Sequence, residues 1–272
     1  MRAAQRHRAF RVFRTQIESA HRTVPCDITR EYTYRENADG SKTTGQVAEL
    51  EITTPGYNIT YGYTYDANGN ITKVTQGNSD TKYTYDSQNQ LIREDNQRAG
   101  KSWTWSYDAG GNITSKKEYA YTTRTLGSAV STRSYTYGNS SWGDLLTAYN
   151  GTNVSYDQIG NPNSLNGRSY VWEHGRELEK VTYNGTQWTN TYDANGIRTQ
   201  RKSSSATYSY IYNGSQLTQM TVGSNTLYFA YDAAGTPMSV TYNGTAYYYV
   251  TNMQGDITAI LSSAGTAVVT YS

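Results

Sequence analysis

Acidic side chains recur at regular places in this sequence and are the first candidates for chemistry. Asp66, Asp108, Asp157, Asp193 and Asp232 each follow a tyrosine and precede a glycine by three positions. Carboxylates of this kind could ligate calcium, or act in pairs as acid and base on a glycosidic bond. Acid and base catalysis needs carboxylates in different environments, whereas these stand in the same local sequence. We therefore expect them to act on structure.

Other catalytic or metal-binding patterns are weak. The run from Asp66 to Asn70 resembles a calcium loop, but the full ligand spacing and the terminal Glu are absent. His7, His21 and His174 are the only histidines and Cys26 is the only cysteine, so a catalytic triad or zinc site would have to join distant segments. We expect that the chain is not an enzyme and that it binds neither a metal ion nor a cofactor.

The shared unit is Tyr-Asp-x-x-Gly, found in six copies. Its residues are Tyr65, Asp66 and Gly69; Tyr85, Asp86 and Asn89; Tyr107, Asp108 and Gly111; Tyr156, Asp157 and Gly160; Tyr192, Asp193 and Gly196; and Tyr231, Asp232 and Gly235. Polar and aromatic residues alternate before each Asp, as in a half-buried strand. We expect the Asp carboxylate to accept the amides one and two residues ahead, and the Gly, or Asn89, to adopt a left-handed conformation. The unit predicts a β-hairpin with a bulge.

Asn-Gly pairs supply turns between the units. Such pairs favour type I′ turns, in which both central residues have positive φ. They stand at Asn150-Gly151, Asn166-Gly167, Asn184-Gly185, Asn213-Gly214 and Asn243-Gly244. No helical pattern follows residue 30, so we expect an all-β chain of consecutive antiparallel hairpins in one continuous sheet, with each strand paired to its neighbour in sequence.

The composition limits the class of protein. The 272 residues include 28 Tyr and only 3 Phe, and 36% are hydrophobic, so rings must build much of the core with their hydroxyls in water. No apolar run is long enough to span a membrane, and one cysteine cannot form an internal disulfide. The row Trp103, Trp105 and Tyr107 could form an aromatic platform for a sugar, which makes carbohydrate or cell-wall binding the alternative function.

The first thirty residues differ from the rest. Residues 1–24 carry six arginines and one glutamate, and apolar residues recur there at helical spacing. We expect a short basic helical arm or connector over 1–30, with no visible signal peptide. Because the remainder is slightly acidic, we expect no binding to nucleic acid.

Together these motifs resemble the YD-repeat or Rhs family. The resemblance covers about residues 31–272 and rests on the repeated Y-x-Y-D-x-x-G-N unit and two further segments. Within these segments the matching residues are Trp172, Gly175, Arg176 and Leu178, then Asn252, Gly255 and Asp256. The order of the segments predicts YD/Rhs repeats over 31–169 and the start of an Rhs-associated core over 170–272.

The resemblance implies a sheet that spirals into part of a hollow shell around a C-terminal toxin, in a secreted or cell-surface protein. Its implied partners are the rest of the shell, that passenger and, on the alternative interpretation, cell-wall glycans. The family's D-P-x-G self-cleavage segment has no counterpart here, so no cleavage residue is carried over. As a fragment of a shell, the chain is expected to leave its terminal hairpins uncovered.

Overall fold

A computed structural model describes residues 13–14, 27–37 and 43–271 of the chain. Most of the arm expected as a helix over 1–30, together with His7, His21 and Cys26, lies outside these residues. Of that range the structure describes Phe13–Arg14, which forms a two-residue strand, and 27–30, of which Thr29 and Arg30 belong to the next strand.

The described residues form two antiparallel sheets with no helix. The first sheet contains, in order, β1 (Phe13–Arg14), β2 (Thr29–Glu36), β3 (Thr43–Thr53), β4 (Asn58–Tyr65), β5 (Ile71–Gln76), β6 (Ser79–Tyr85), β7 (Leu91–Asn96), β8 (Lys101–Tyr107), β9 (Ile113–Ala120), β10 (Ser131–Thr136), β11 (Ala148–Tyr149) and β12 (Thr152–Asn153).

The second sheet contains β13 (Ser155–Tyr156), β14 (Pro162–Leu165), β15 (Arg168–Glu173), β16 (Glu177–Tyr183), β17 (Thr186–Tyr192), β18 (Arg198–Lys202), β19 (Thr207–Asn213), β20 (Gln216–Val222), β21 (Asn225–Tyr231), β22 (Pro237–Tyr242), β23 (Thr245–Thr251), β24 (Ile257–Leu261) and β25 (Ala267–Thr270).

Each strand neighbours the next one in sequence, so the expected fold class is confirmed. The expectation of a single sheet is wrong. Strands β12 and β13 are separated only by Val154, and one residue cannot form a hairpin turn that would pair them. The amide of Val154 instead donates to the carbonyl of Thr147, and the second sheet begins at Ser155.

Four of the five Asn-Gly pairs have positive φ at both residues, as expected of type I′ turns. The asparagines Asn150, Asn166, Asn184 and Asn243 lie at φ 48 to 49°, and the glycines that follow them at 74 to 85°. The prediction is wrong at Asn213, which pairs with Gln216 as a strand residue. Gly214 is therefore the first of the two central residues of that turn, at φ 61°.

The described residues divide into two compact units. The first holds the chain up to Trp103, Tyr119–Ser128 and the segment from Ala246 onward. Its core joins early strands to late ones: Val47, Leu50, Ile52, Tyr61, Tyr63, Val250, Ala259 and Leu261. The hydroxyl of Tyr61 donates to Thr258 Oγ1 at 2.7 Å, and Thr54 Oγ1 donates to the carbonyl of Gly265 at 2.8 Å. The expectation that the terminal hairpins are uncovered is wrong, because they share this core.

The second unit contains Thr104–Glu118 and Ala129–Thr245. Among the residues described there, only Asn161, Asn190, Ser203 and Val240 are buried. Its aromatic side chains are mostly half-buried, so this unit has no apolar interior comparable with that of the first. The sequence boundary at residue 169 stays a prediction, since the contacts divide the chain at other places.

A substitution pair tests the shared core of the first unit. Leu261 is fully buried, whereas Val268 in the next strand is 51% exposed. We expect Leu261→Ala to lower the free energy of unfolding by about 2 to 5 kcal/mol, and Val268→Ala by less than about 0.5 kcal/mol. Urea denaturation measures both. Equal, small losses would contradict the packing of β24 against the early strands.

Candidate functional site

The repeated Tyr-Asp turn has one geometry in all six copies. The Asp amide donates to the carbonyl four residues ahead, and the Gly or Asn amide donates back to the Asp carbonyl, as in Asp66–Asn70 at 3.0 Å and Gly69–Asp66 at 3.3 Å. The Asp Oδ1 accepts two more amides at 2.8 to 3.0 Å. These amides belong to the residues two and four positions ahead. The expected bond from the second residue is therefore confirmed, whereas the expected bond from the next residue is wrong, because the residue four positions ahead takes its place.

The role of the residue four positions after the Asp was not predicted from the sequence. In three copies it is asparagine, and its side-chain amide donates to the second carboxylate oxygen of the Asp. The pairs are Asn70–Asp66 at 2.9 Å, Asn112–Asp108 at 3.1 Å and Asn161–Asp157 at 2.8 Å. The Asn after the glycine in these copies was the available signal. Both oxygens of these carboxylates are thus used inside the turn.

The residue three positions after each Asp lies at positive φ. Gly69, Gly111, Gly160, Gly196 and Gly235 have φ of 75 to 89°, and Asn89 has 62°. At Gly160 there is a second constraint, because a Cβ there would lie 2.5 Å from the ring of Trp142. This position therefore excludes other side chains both by backbone conformation and by contact.

The repeat tyrosines link neighbouring hairpins through their hydroxyls. Five of the six donate to a carbonyl of the preceding strand or segment, and Tyr137 outside the six units does the same. The pairs are Tyr65–Val47, Tyr85–Ile71, Tyr137–Ile113, Tyr156–Leu146, Tyr192–Leu178 and Tyr231–Leu217, at 2.6 to 3.1 Å. The expectation of hydroxyls in water is wrong for these residues. Phenylalanine could not make this bond, which explains why these six positions carry Tyr and not Phe.

In some copies the turn shifts the pKa of its titratable groups. The hydrogen bond from the Asn70 side chain holds the pKa of Asp66 below its usual value, and Asn112 does the same for Asp108. Burial raises the pKa of Tyr85 and Tyr231, which keeps their hydroxyls protonated as donors. The carboxylates therefore stay charged and the phenols stay neutral over the ordinary pH range.

The residues of the first expected core motif hold the preceding Tyr-Asp turn. The indole of Trp172 donates to the carbonyl of Pro162 at 2.8 Å, and Arg176 donates to that of Ile159 at 3.2 Å. The carbonyl of Gly175 accepts the side-chain amide of Asn161. The carbonyl of Leu178 accepts Asn190 at 2.7 Å and Tyr192 at 3.0 Å. This segment therefore connects two successive turns.

The second expected motif forms a turn of the same kind with Asn in place of Asp. Asn252 Oδ1 accepts the amide of Asp256 at 2.9 Å, and Gly255 lies at φ 89°. The side chain of Asn252 donates to the carboxylate of Asp256 at 3.0 Å. An asparagine can thus replace the first residue of the turn in this chain.

The row proposed as a sugar platform is not fully exposed. Trp103, Trp105 and Tyr107 are each half-buried, and the ammonium group of Lys116 lies 5.1 Å from the centre of the Trp105 ring.

Within residues 27–37 and 43–271, no cluster of His, Cys, Asp and Glu could hold a metal ion, and no helix could span a membrane.

Lowering the pH tests the charge in the turn. Because folding lowers the pKa of Asp108, its stabilisation is present above about pH 4 and is lost as pH falls through the folded pKa. Asp108→Asn keeps an accepting oxygen but loses the charge and the acceptor for the Asn112 side chain. We therefore expect it to melt slightly below wild type at pH 7, with the gap narrowing as pH falls through the folded pKa. Asp108→Ala should melt lower still at pH 7. A gap between wild type and the Asn variant that widens in acid would contradict this.

Two tyrosines of β21 test the hydroxyl bond. Tyr231→Phe leaves the carbonyl of Leu217 without its donor, and we expect a loss of about 1 kcal/mol in the free energy of unfolding. Tyr228 is 53% exposed, so Tyr228→Phe is the matched control and should change little. Equal effects in thermal or urea unfolding would show that the bond does not link the hairpins.

Comparison with known proteins agrees with this geometry. Residues 42–164 match the family model for the teneurin YD-shell. The chain is 31% identical over 194 residues to the tRNA3(Ser)-specific nuclease WapA of Bacillus spizizenii, and 32% identical over 194 residues to the tRNA nuclease WapA of Bacillus subtilis. Each match covers 69% of this chain and 8% of the relative, so the chain spans a small part of those proteins.

Solved structures show the same fold. The crystal structure of TcdB2-TccC3-Cdc42 matches with a TM-score of 0.66 and 17% identity, over 89% of this chain and 14% of that chain. The Photorhabdus luminescens Tc holotoxin pore matches with a TM-score of 0.63 and 16% identity, over 90% of this chain and 14% of that one. With six Tyr-Asp turns on consecutive hairpins, this chain is a YD-repeat protein of the Rhs type.

Proposed function

We propose that this chain is a non-catalytic wall segment of a YD-repeat shell that encloses a toxin carried by the same protein, which is secreted or displayed at the cell surface. The observation that carries the proposal is the repeated bond from a tyrosine hydroxyl to the preceding strand or segment. Bonds of this kind join successive hairpins at their turn ends, so that a long sheet can act as a wall.

The similar proteins support the proposal that the shell encloses a toxin. The WapA proteins are named nucleases, and this chain corresponds to 8% of their length. The acids of its Tyr-Asp units are used in turns, and Asp66, Asp108 and Asp157 use both oxygens there. We therefore assign any toxic activity to another segment of the protein. No observation favours carbohydrate binding, because the Trp103, Trp105 and Tyr107 side chains are half-buried.

Protease protection in the full-length product of the gene tests the enclosure. We expect the segment after the shell to be digested more slowly than the same segment expressed alone. Gly160→Val should reduce this protection, because the side chain would meet Trp142 and the backbone has φ 85°. Gly143→Val is the matched control, since a Cβ at Gly143 meets nothing within 4 Å.

An activity screen completes the test. We expect the 272-residue chain to hydrolyse neither tRNA nor peptidoglycan. Equal digestion of the enclosed and the separate passenger would refute the enclosure. A hydrolytic rate lost in Asp108→Asn or Asp193→Asn at an unchanged melting temperature would refute the non-catalytic role.

A further inference from the structure

Strand β18 departs from the pattern of the other hairpins. In the first strand of each hairpin, two residues before the residue that follows the register shift, an aromatic residue usually faces an aliphatic one or methionine. Such pairs are Tyr63–Val74, Tyr170–Val181, Tyr210–Met220, Phe229–Val240 and Tyr249–Ile260, while Tyr83 faces Glu94. In β17 and β18 the corresponding pair is Asn190–Arg201.

The next position departs in the same way. The residue that faces the first residue after the register shift is apolar in the other hairpins, as with Ile71, Leu91, Leu178, Leu217, Pro237 and Ile257. In β18 it is Arg198, which faces Tyr192. This hairpin therefore carries three polar or charged side chains at these positions, whereas the hairpins named above carry apolar ones there apart from Glu94.

These side chains share one face of the second sheet. Asn190 and Tyr192 are two residues apart in β17, so they point to the same side, and their partners Arg201 and Arg198 point there too. The ring contacts agree with this register. The guanidinium of Arg201 lies 4.3 Å from the centre of the Trp188 ring, and that of Arg198 lies 5.3 Å from the centre of the Tyr210 ring.

The two arginines have no anionic partner among the residues that the structure describes. The carboxylates of the neighbouring strand β16 have partners of their own: Glu179 contacts Lys180, and Glu177 lies 3.2 Å from His174. A guanidinium packed against an aromatic ring can still donate from its edge to a carboxylate. The face thus presents two positive charges without a counter-charge.

Two buried polar atoms also lack partners there. Asn190 is 8% exposed, and its side-chain amide donates to the carbonyl of Leu178 while its Oδ1 accepts nothing. The Nε of Arg198 is buried and donates to nothing. Buried polar atoms are normally paired, so a ligand that supplies both a donor and an acceptor would complete this set.

We propose that Trp188, Asn190, Arg198, Arg201 and Tyr210 form a basic aromatic site for an acidic segment of polypeptide. A glutamate or aspartate carboxylate would accept from the two arginines. A backbone amide of the same segment would donate to Asn190 Oδ1 once the side chains that cover this atom move aside. The aromatic rings would cover the apolar part of the segment. The proposal rests on the enclosed passenger, and it names the chemistry by which the wall holds that passenger.

Binding of poly-L-glutamate to the 272-residue chain tests the site. The double variant Arg198→Leu and Arg201→Val restores residues that other hairpins carry, so it should melt no lower than wild type and bind the peptide at least about tenfold more weakly. Arg133→Leu removes the same charge from an exposed position on β10 and should bind as wild type does. Isothermal titration calorimetry measures the dissociation constants.

A second variant covers the case in which the double variant fails to fold. Asn190→Asp places a carboxylate beside the arginines and should also weaken binding at least about tenfold, through repulsion of the peptide and pairing with the arginines. An unchanged affinity in the folded variants, or equal binding of poly-L-glutamine, overturns the proposal. Binding of inorganic phosphate without poly-L-glutamate would identify a small-anion site and also overturn it. Protease protection of the full-length protein is measured separately, so failure here does not imply failure of the enclosure.

Discussion

The left-handed residue in the Tyr-Asp turn is the constraint on which the rest of the structure depends. A turn that returns the chain within four residues needs positive φ three positions after the Asp, where a glycine or an asparagine stands in every copy. The Asp fixes this turn from one side by accepting two amides through a single oxygen. Because the turn is the same each time, the first strand of every unit ends at the Tyr and the second strand begins five residues after the Asp. The tyrosine before the Asp is thereby placed where its hydroxyl can reach the preceding strand or segment.

Much of the fold follows from patterns that the sequence displays. Alternating side chains, turn residues at regular spacing and the absence of helical periodicity predict sequential antiparallel hairpins, since each signal is local. The partners of the Asp carboxylate could not be predicted in the same way. Whether it accepts the next amide or the one four residues ahead depends on the bulge just before Tyr65 and its counterparts, where the register shifts. The end of the first sheet at Asn153 likewise depends on a single residue, Val154, whose type carries no turn signal.

Contacts between distant segments were the other feature that local patterns could not supply. Thr258 and Tyr61 are 197 residues apart, and nothing in either neighbourhood indicates that they bond. The core around Leu50 and Leu261 forms because the late strands carry the aliphatic run Ile257–Leu261, which needs an apolar partner. The second unit lacks such a run, and its aromatic face stays half-buried. The two units thus differ in how much apolar surface each can bury by itself.

In a repeat protein each hairpin can be compared with the others at the same position. This comparison shows that Arg198 and Arg201 are unusual. In a protein without repeats, an arginine beside a tyrosine is common and carries little information. Here the position of Arg201 is occupied by an aliphatic residue or methionine in five other hairpins. The comparison therefore shows that a charge at this position is costly. The cost is increased by the unpaired Asn190 Oδ1 and Arg198 Nε on the same hairpin. Three unfavourable choices on one hairpin are more simply explained by a shared ligand than by three independent accidents, because one acidic segment would pair all three groups at once.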